Sequence, residues 1–132
     1  MSTRANVVIK DKYHELWFYR HSDGYPEGTL PTLEKFVRWV NEGKIRDNDS
    51  QAAGWLILIG AEEYNYTYEN HEKVTLPYEK LFSPESKGEY DGWKCGAYEP
   101  TSGRHGDIEY LYTIDLSQTP VEIKVQKTTR DP

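Results

Sequence analysis

The stretch that most limits what this chain can fold into is Tyr19-Arg20-His21-Ser22-Asp23-Gly24-Tyr25-Pro26-Glu27-Gly28. An aromatic run of β-forming residues stops there, two cations and a carboxylate crowd together, and Gly and Pro hand the chain to a helical pattern. A strand, a tight turn and a helix must therefore follow one another within a few residues. The remaining pattern places strands on both sides of a central helical region. At 132 residues the chain makes one domain, 1–132, with room for a single core.

Residues 5–10 are rich in β-branched side chains, and residues 13–19 follow after Asp11-Lys12, so the two runs read as a hairpin. A period of two sends Leu16 and Phe18 to one face and Tyr13, Trp17 and Tyr19 to the other. A first helix is expected over residues 29–42, with Thr29 as N-cap, Pro31 in the first turn and Gly43 as the left-handed residue beyond its end. Leu30, Leu33, Phe36, Val37 and Val40 form its apolar stripe.

Residues 48–65 contain Trp55-Leu56-Ile57-Leu58-Ile59, which periodicity alone does not assign. Capping residues at 47–49 and helix formers on both flanks favour a largely buried helix, with Ile57 in the core and Gly54 and Gly60 allowing close approach to the sheet. Residues 66–92 read as a long, acidic, Tyr-rich loop. Strands are expected over residues 93–99, 107–116 and 121–127, where apolar and polar side chains alternate as in an antiparallel sheet. The fold class expected is α+β: an antiparallel sheet of about five strands with two helices packed on one face, in the order ββααβββ.

The formal charge of −6 opposes non-specific nucleic-acid binding and suits a basic protein or a small ligand. Cys95 is the one cysteine, which fits a reducing cytoplasm and reads as a small core residue. The longest apolar run, at residues 55–59, is far below the roughly 20 residues a membrane span needs, so no membrane association is expected.

Two constellations could carry chemistry: Arg20, His21 and Asp23 in the first turn, and Arg104, His105 and Asp107 in a glycine-flanked turn between strands. If the two turns meet at one rim of the sheet, Arg4 or Arg20 converges with Arg104, His21 and His105 on an anion, with Tyr25 as a stacking wall. Both arginines read as loop residues, so replacing either is expected to leave the fold intact. The plain structural reading stands beside this one, because Asp23-Gly24 is ordinary turn chemistry. Trp17, Tyr19, Tyr25, Tyr98, Tyr110 and Tyr112 are candidates for aromatic platforms. An enzyme would use His21 with Asp23, or His105 with Asp107, as acid and base. Neither a metal signature nor a Gly-rich phosphate cradle is present, and no cofactor is expected.

The opening Ser2-Thr3-Arg4, the short hairpin and the Asp23-Gly24-Tyr25-Pro26-Glu27-Gly28 turn after Tyr19-Arg20-His21 resemble a group of small bacteriophage and prophage proteins. The resemblance covers about the first quarter of the chain. It implies an accessory protein acting in the cytoplasm of a bacterial host. An inhibitor of a bacterial defence system, binding a host protein or a nucleotide-like signal and able to form a homo-oligomer, is the function expected on that basis.

Overall fold

A computed structural model describes residues 3–77 and 96–128. The elements run β1 (Ala5–Lys10), β2 (Glu15–Arg20), α1 (Pro26–Asn41), α2 (Asp49–Glu63), β3 (Tyr66–Glu69), β4 (Glu72–Thr75), β5 (Glu99–Thr101), β6 (Tyr110–Asp115) and β7 (Ile123–Lys127). The α+β class, the five-stranded sheet and the two helices agree with the sequence. Strand order is β5-β2-β1-β6-β7, and β3 pairs with β4 as a separate two-stranded sheet.

Two features depart from expectation. The central pair β1 and β6 is parallel, in register from Ala5 with Tyr110 to Lys10 with Asp115, while every other pair is antiparallel. Alternation along one strand reports its faces but not the direction of its neighbour, so the sequence does not distinguish the two. The first ten residues of the segment expected to be a loop form the β3–β4 hairpin, turned by Asn70 and His71 at φ +50° and +66°. Asn tolerates positive φ readily and His occasionally, and no glycine flags this turn. Residues 78–95, Cys95 among them, lie outside the described residues; of the strand expected over 93–99, residues 96–98 are not strand and Glu99 opens β5, where pairing with β2 begins.

Pro26 at the first turn starts α1 three residues earlier than expected, because its fixed φ is already helical. Tyr25 is the N-cap and supplies no side-chain cap, whereas the buried Thr29 donates from Oγ1 to the Asp23 carbonyl at 2.9 Å. Gly43 follows the helix at φ +75°. In α2 the Asn48 side chain accepts from the Ser50 and Gln51 amides, which settles the Trp55-to-Ile59 run as helix rather than strand.

Ala5, Val7 and Ile9 of β1, Phe18 of β2 and Tyr112 and Ile114 of β6 face Leu33, Phe36, Val37 and Val40 of α1 and Ala52, Leu56 and Ile59 of α2. Both helices thus cover one face of the sheet. Contrary to expectation α2 is not buried all round: Trp55 and Leu58 are exposed and Ile57 only half-buried, while Leu56 is fully enclosed. A Cβ on Gly60 would come within 2.7 Å of the Tyr98 ring, so the close approach there is to the segment before β5 rather than to a strand, and among the described residues nothing approaches Gly54.

The two sides of α2 should therefore respond differently to truncation. Leu56→Ala should cost about 2–5 kcal/mol, whereas Leu58→Ala should stay within about 0.5 kcal/mol of the wild type. Denaturant titration followed by circular dichroism distinguishes them, and equal losses would contradict this packing.

Candidate functional site

Arg20 closes β2 on the helix-covered face, since the strand's two-residue period aligns it with Leu16 and Phe18. Its side chain is 1% exposed. Nη1 and Nη2 donate to the two carboxylate oxygens of Glu63 at 3.1 and 2.5 Å, Nε donates to the Ser22 carbonyl at 2.9 Å, and Nη2 reaches the Gly28 carbonyl at 3.3 Å. The guanidinium carbon also lies 5.2 Å from the centroid of the Tyr98 ring. Arg20 thus ties β2 to the start of α1 and the last turn of α2, and its donors are spent inside the protein. The expectation that it could be removed without harm to the fold fails because a strand-end residue faced inward.

The Asp23-Gly24-Tyr25-Pro26-Glu27-Gly28 turn is likewise held from within. Asp23 takes φ +56°, and a Cβ on Gly28 would stand 2.6 Å from the Asp23 carbonyl oxygen. The Tyr112 hydroxyl donates to the Gly24 carbonyl at 2.6 Å. Tyr98 and Tyr112 are fully buried on the helix side, so neither is the surface platform expected, and burial pushes both hydroxyls up to about 12. Tyr25 is exposed, with its hydroxyl 3.4 Å from Asp23, and stands in the turn rather than in the cluster described next.

That cluster forms on the helix-free face, around Tyr19. The His105 ring stacks on Tyr19 at 3.9 Å between centroids, and the His21 ring meets it edge-on at 4.5 Å. The Tyr19 hydroxyl donates to Asp107 Oδ2 at 2.8 Å, and Arg4 Nη1 donates to the same oxygen at 3.1 Å. His21 Nε2 lies 2.7 Å from Glu99 Oε2, and His105 Nε2 lies 2.9 Å from Thr101 Oγ1. The buried Asn6 on β1 fixes the second turn, accepting from the His105 amide at 2.8 Å while its Nδ2 donates to the Phe18 carbonyl.

Arg4, His21 and His105 of the expected site are therefore brought together, and Asp107 joins them. Arg104, next to His105 in the chain, is exposed. Arg20, Asp23 and Tyr25 belong to the turn on the other side. The acid–base pairs read from the sequence are re-partnered: Glu99 rather than Asp23 holds His21, and Thr101 rather than Asp107 holds His105. Sequence adjacency concealed this. Glu99 and Thr101 arrive on β5, whose pairing with Tyr19 and Trp17 becomes visible only in the sheet.

Desolvation raises the Asp107 carboxyl, but the Tyr19 hydroxyl, Arg4 and nearby backbone outweigh it and hold the group below the usual carboxylate range. Burial, then Asp107, push the Tyr19 hydroxyl up to about 12, so at neutral pH it is a donor and not a base. Among the described residues one further set of convergent donors, Asp11, His14 and Asp49, stands at the β1–β2 turn. The molecule is thus an α+β domain with a helix-free face edged by imidazole, arginine and carboxylate groups. Comparison with protein-family models, with curated proteins and with solved structures finds no match to the chain.

Two outcomes follow. Arg20→Ala leaves the Glu63 carboxylate unpaired at a mostly enclosed position and should cost about 3–5 kcal/mol, read as a large fall in Tm; an unchanged Tm would contradict the clamp. Asp107→Asn should lower stability modestly near neutral pH, because a depressed folded-state pKa stabilises only while the carboxylate is ionised. The difference from wild type should begin to shrink as pH falls to about 4, where Asp in the unfolded chain takes up its proton, and vanish only below the depressed folded value, as measured by urea titration at successive pH values.

Proposed function

We propose that this chain is a binding protein of the phage or prophage accessory type, which engages an anionic group of its partner at the rim formed by Arg4, His21, Arg104 and His105. The observation that carries the reading is the preorganised cluster around Tyr19, in which two turns distant in sequence are locked together on the face that neither helix covers. Fixed donors lose little conformational freedom when a ligand arrives, which favours binding. The cations supply charge-assisted contacts, and Glu99 and Asp107 hold His21 and Arg4 in place. A small nucleotide-like anion and an acidic patch of a host protein present the same chemistry to this rim. The association with antagonism of bacterial defence comes from the resemblance of residues 2–28, and it sets which lysates and signals to test.

One observation favours a second reading. His21 within 2.7 Å of Glu99 is the arrangement of a general base and its orienting carboxylate. Binding is preferred because the Tyr19 hydroxyl beside the imidazoles stays protonated and already donates to Asp107.

Affinity capture from bacterial lysate and calorimetric titration with mono-, di- and cyclic nucleotides test the proposal. Arg104→Ala, an exposed change, should weaken binding at least tenfold, about 1.4 kcal/mol, with Tm unchanged. Binding that is indifferent to Arg104→Ala combined with His21→Ala would refute it. Consumption of a titrated nucleotide, abolished by His21→Ala, would establish the second reading instead.

A further inference from the structure

At the far end of β2 from Tyr19, three side chains from two separate parts of the chain face one another. Asp11 sits in the β1–β2 turn, His14 directly precedes β2, and Asp49 is the first residue of α2. His14 Nδ1 stands 3.3 Å from Asp49 Oδ2 and 3.7 Å from Asp11 Oδ1, and one donor atom from each of the three lies within 4.8 Å of the others.

The spacing is informative. A charge-assisted hydrogen bond between imidazolium and carboxylate closes to about 2.7–2.9 Å, as His21 and Glu99 do in this same protein at 2.7 Å. The Asp11–His14–Asp49 group stands off by more than that. Donor atoms bound to one ion at about 2.0–2.2 Å are instead separated by roughly 3–3.6 Å, which the 3.3 and 3.7 Å separations approach closely.

Backbone amides hold both carboxylates in place. Asp11 Oδ1 accepts from the Tyr13 and His14 amides at 2.8 and 2.7 Å, which fixes the carboxylate beside the His14 ring. Asp49 Oδ1 accepts from the Ser50 amide at 2.9 Å, while Oδ2 is the atom directed at His14. The side chains of Asp11 and Asp49 are 23% and 13% exposed, so two carboxylates flank one imidazole at a partly enclosed site. His14 is 65% exposed, which leaves the remaining coordination positions open to water.

We propose that Asp11, His14 and Asp49 form a divalent-metal site that joins the β1–β2 turn to the start of α2. One imidazole and two carboxylates select borderline ions such as Zn²⁺, Co²⁺ or Mn²⁺ over Mg²⁺ and Ca²⁺, which favour all-oxygen shells. The site is separate from the Tyr19 rim and does not depend on the function proposed for it.

The test uses the full chain after chelator treatment and dialysis. Titration with Zn²⁺ by calorimetry should give one ion per chain, Co²⁺ should give the visible absorption of a nitrogen- and oxygen-ligated ion, and Tm should rise with either metal. Asp11→Asn and Asp49→Asn keep the oxygens that accept the backbone amides, so both variants should fold and each should bind at least tenfold more weakly. Adding His14→Gln to both should abolish binding and the rise in Tm. No saturable binding of Zn²⁺, Co²⁺ or Mn²⁺ up to millimolar concentration would overturn the proposal. Binding of equal strength in the triple variant would do so too, since the ion would then be held elsewhere.

Discussion

The buried pairing of Arg20 with Glu63 is the constraint around which the described structure is arranged. A guanidinium with 1% exposure is tolerable only if its charge is matched and its donors are occupied. Here the match is two-pronged, and the remaining donors go to carbonyls of the turn and of α1. Satisfying one side chain thus dictates where β2 stops, how the turn curls and where α2 must end. The Tyr98 segment is drawn in as well, because its ring lies near the guanidinium and its hydroxyl bonds Thr32 of α1. Replacing the cation by another long side chain would not reproduce this, since only a planar fork addresses a carboxylate and two carbonyls together.

The two sides of the sheet divide the labour. On the side covered by helices, polar groups such as Arg20, Tyr98 and Tyr112 serve as internal fasteners. On the other side, Tyr19 is equally enclosed, at 5% exposure, yet its neighbours His21, Glu99, Arg4 and Asp107 keep between a third and a half of their side-chain surface. The enclosed centre fixes the geometry of the cluster, and its margin leaves charged groups open to solvent.

How much of this the sequence disclosed depended on the range of the interaction involved. β1 was legible to the residue because its β-branched run is bounded by turn chemistry, and α2 was legible through Asn48 and its helix-forming flanks. Local periodicity also separated Leu16 and Phe18 from Trp17 and Tyr19 correctly. It could have placed Arg20 as well, since counting two residues on from Phe18 puts it on the core face, but its charge and its neighbouring turn suggested a loop. The meeting of His21 and His105 follows from both turns lying at one rim of the sheet, whereas their partners Glu99 and Thr101 depend on a strand pairing with no local mark. The β3–β4 hairpin was missed because its turn, Asn70-His71, lacks the glycine that usually announces one.

The parallel pairing of β1 with β6 has a consequence for how the molecule is made. Ala5 lies opposite Tyr110, a separation of 105 residues, so the middle of the sheet cannot form until β6 has been synthesised. Until then the β1–β2 hairpin presents β1 as an unpaired edge, with Val7, Val8 and Ile9 uncovered by their eventual strand neighbour. Long-range pairing of this kind slows folding, since the loop must close before any contact rewards it. The growing chain is therefore most exposed to aggregation while α1 and α2 are emerging, before β6 is there to pair with β1.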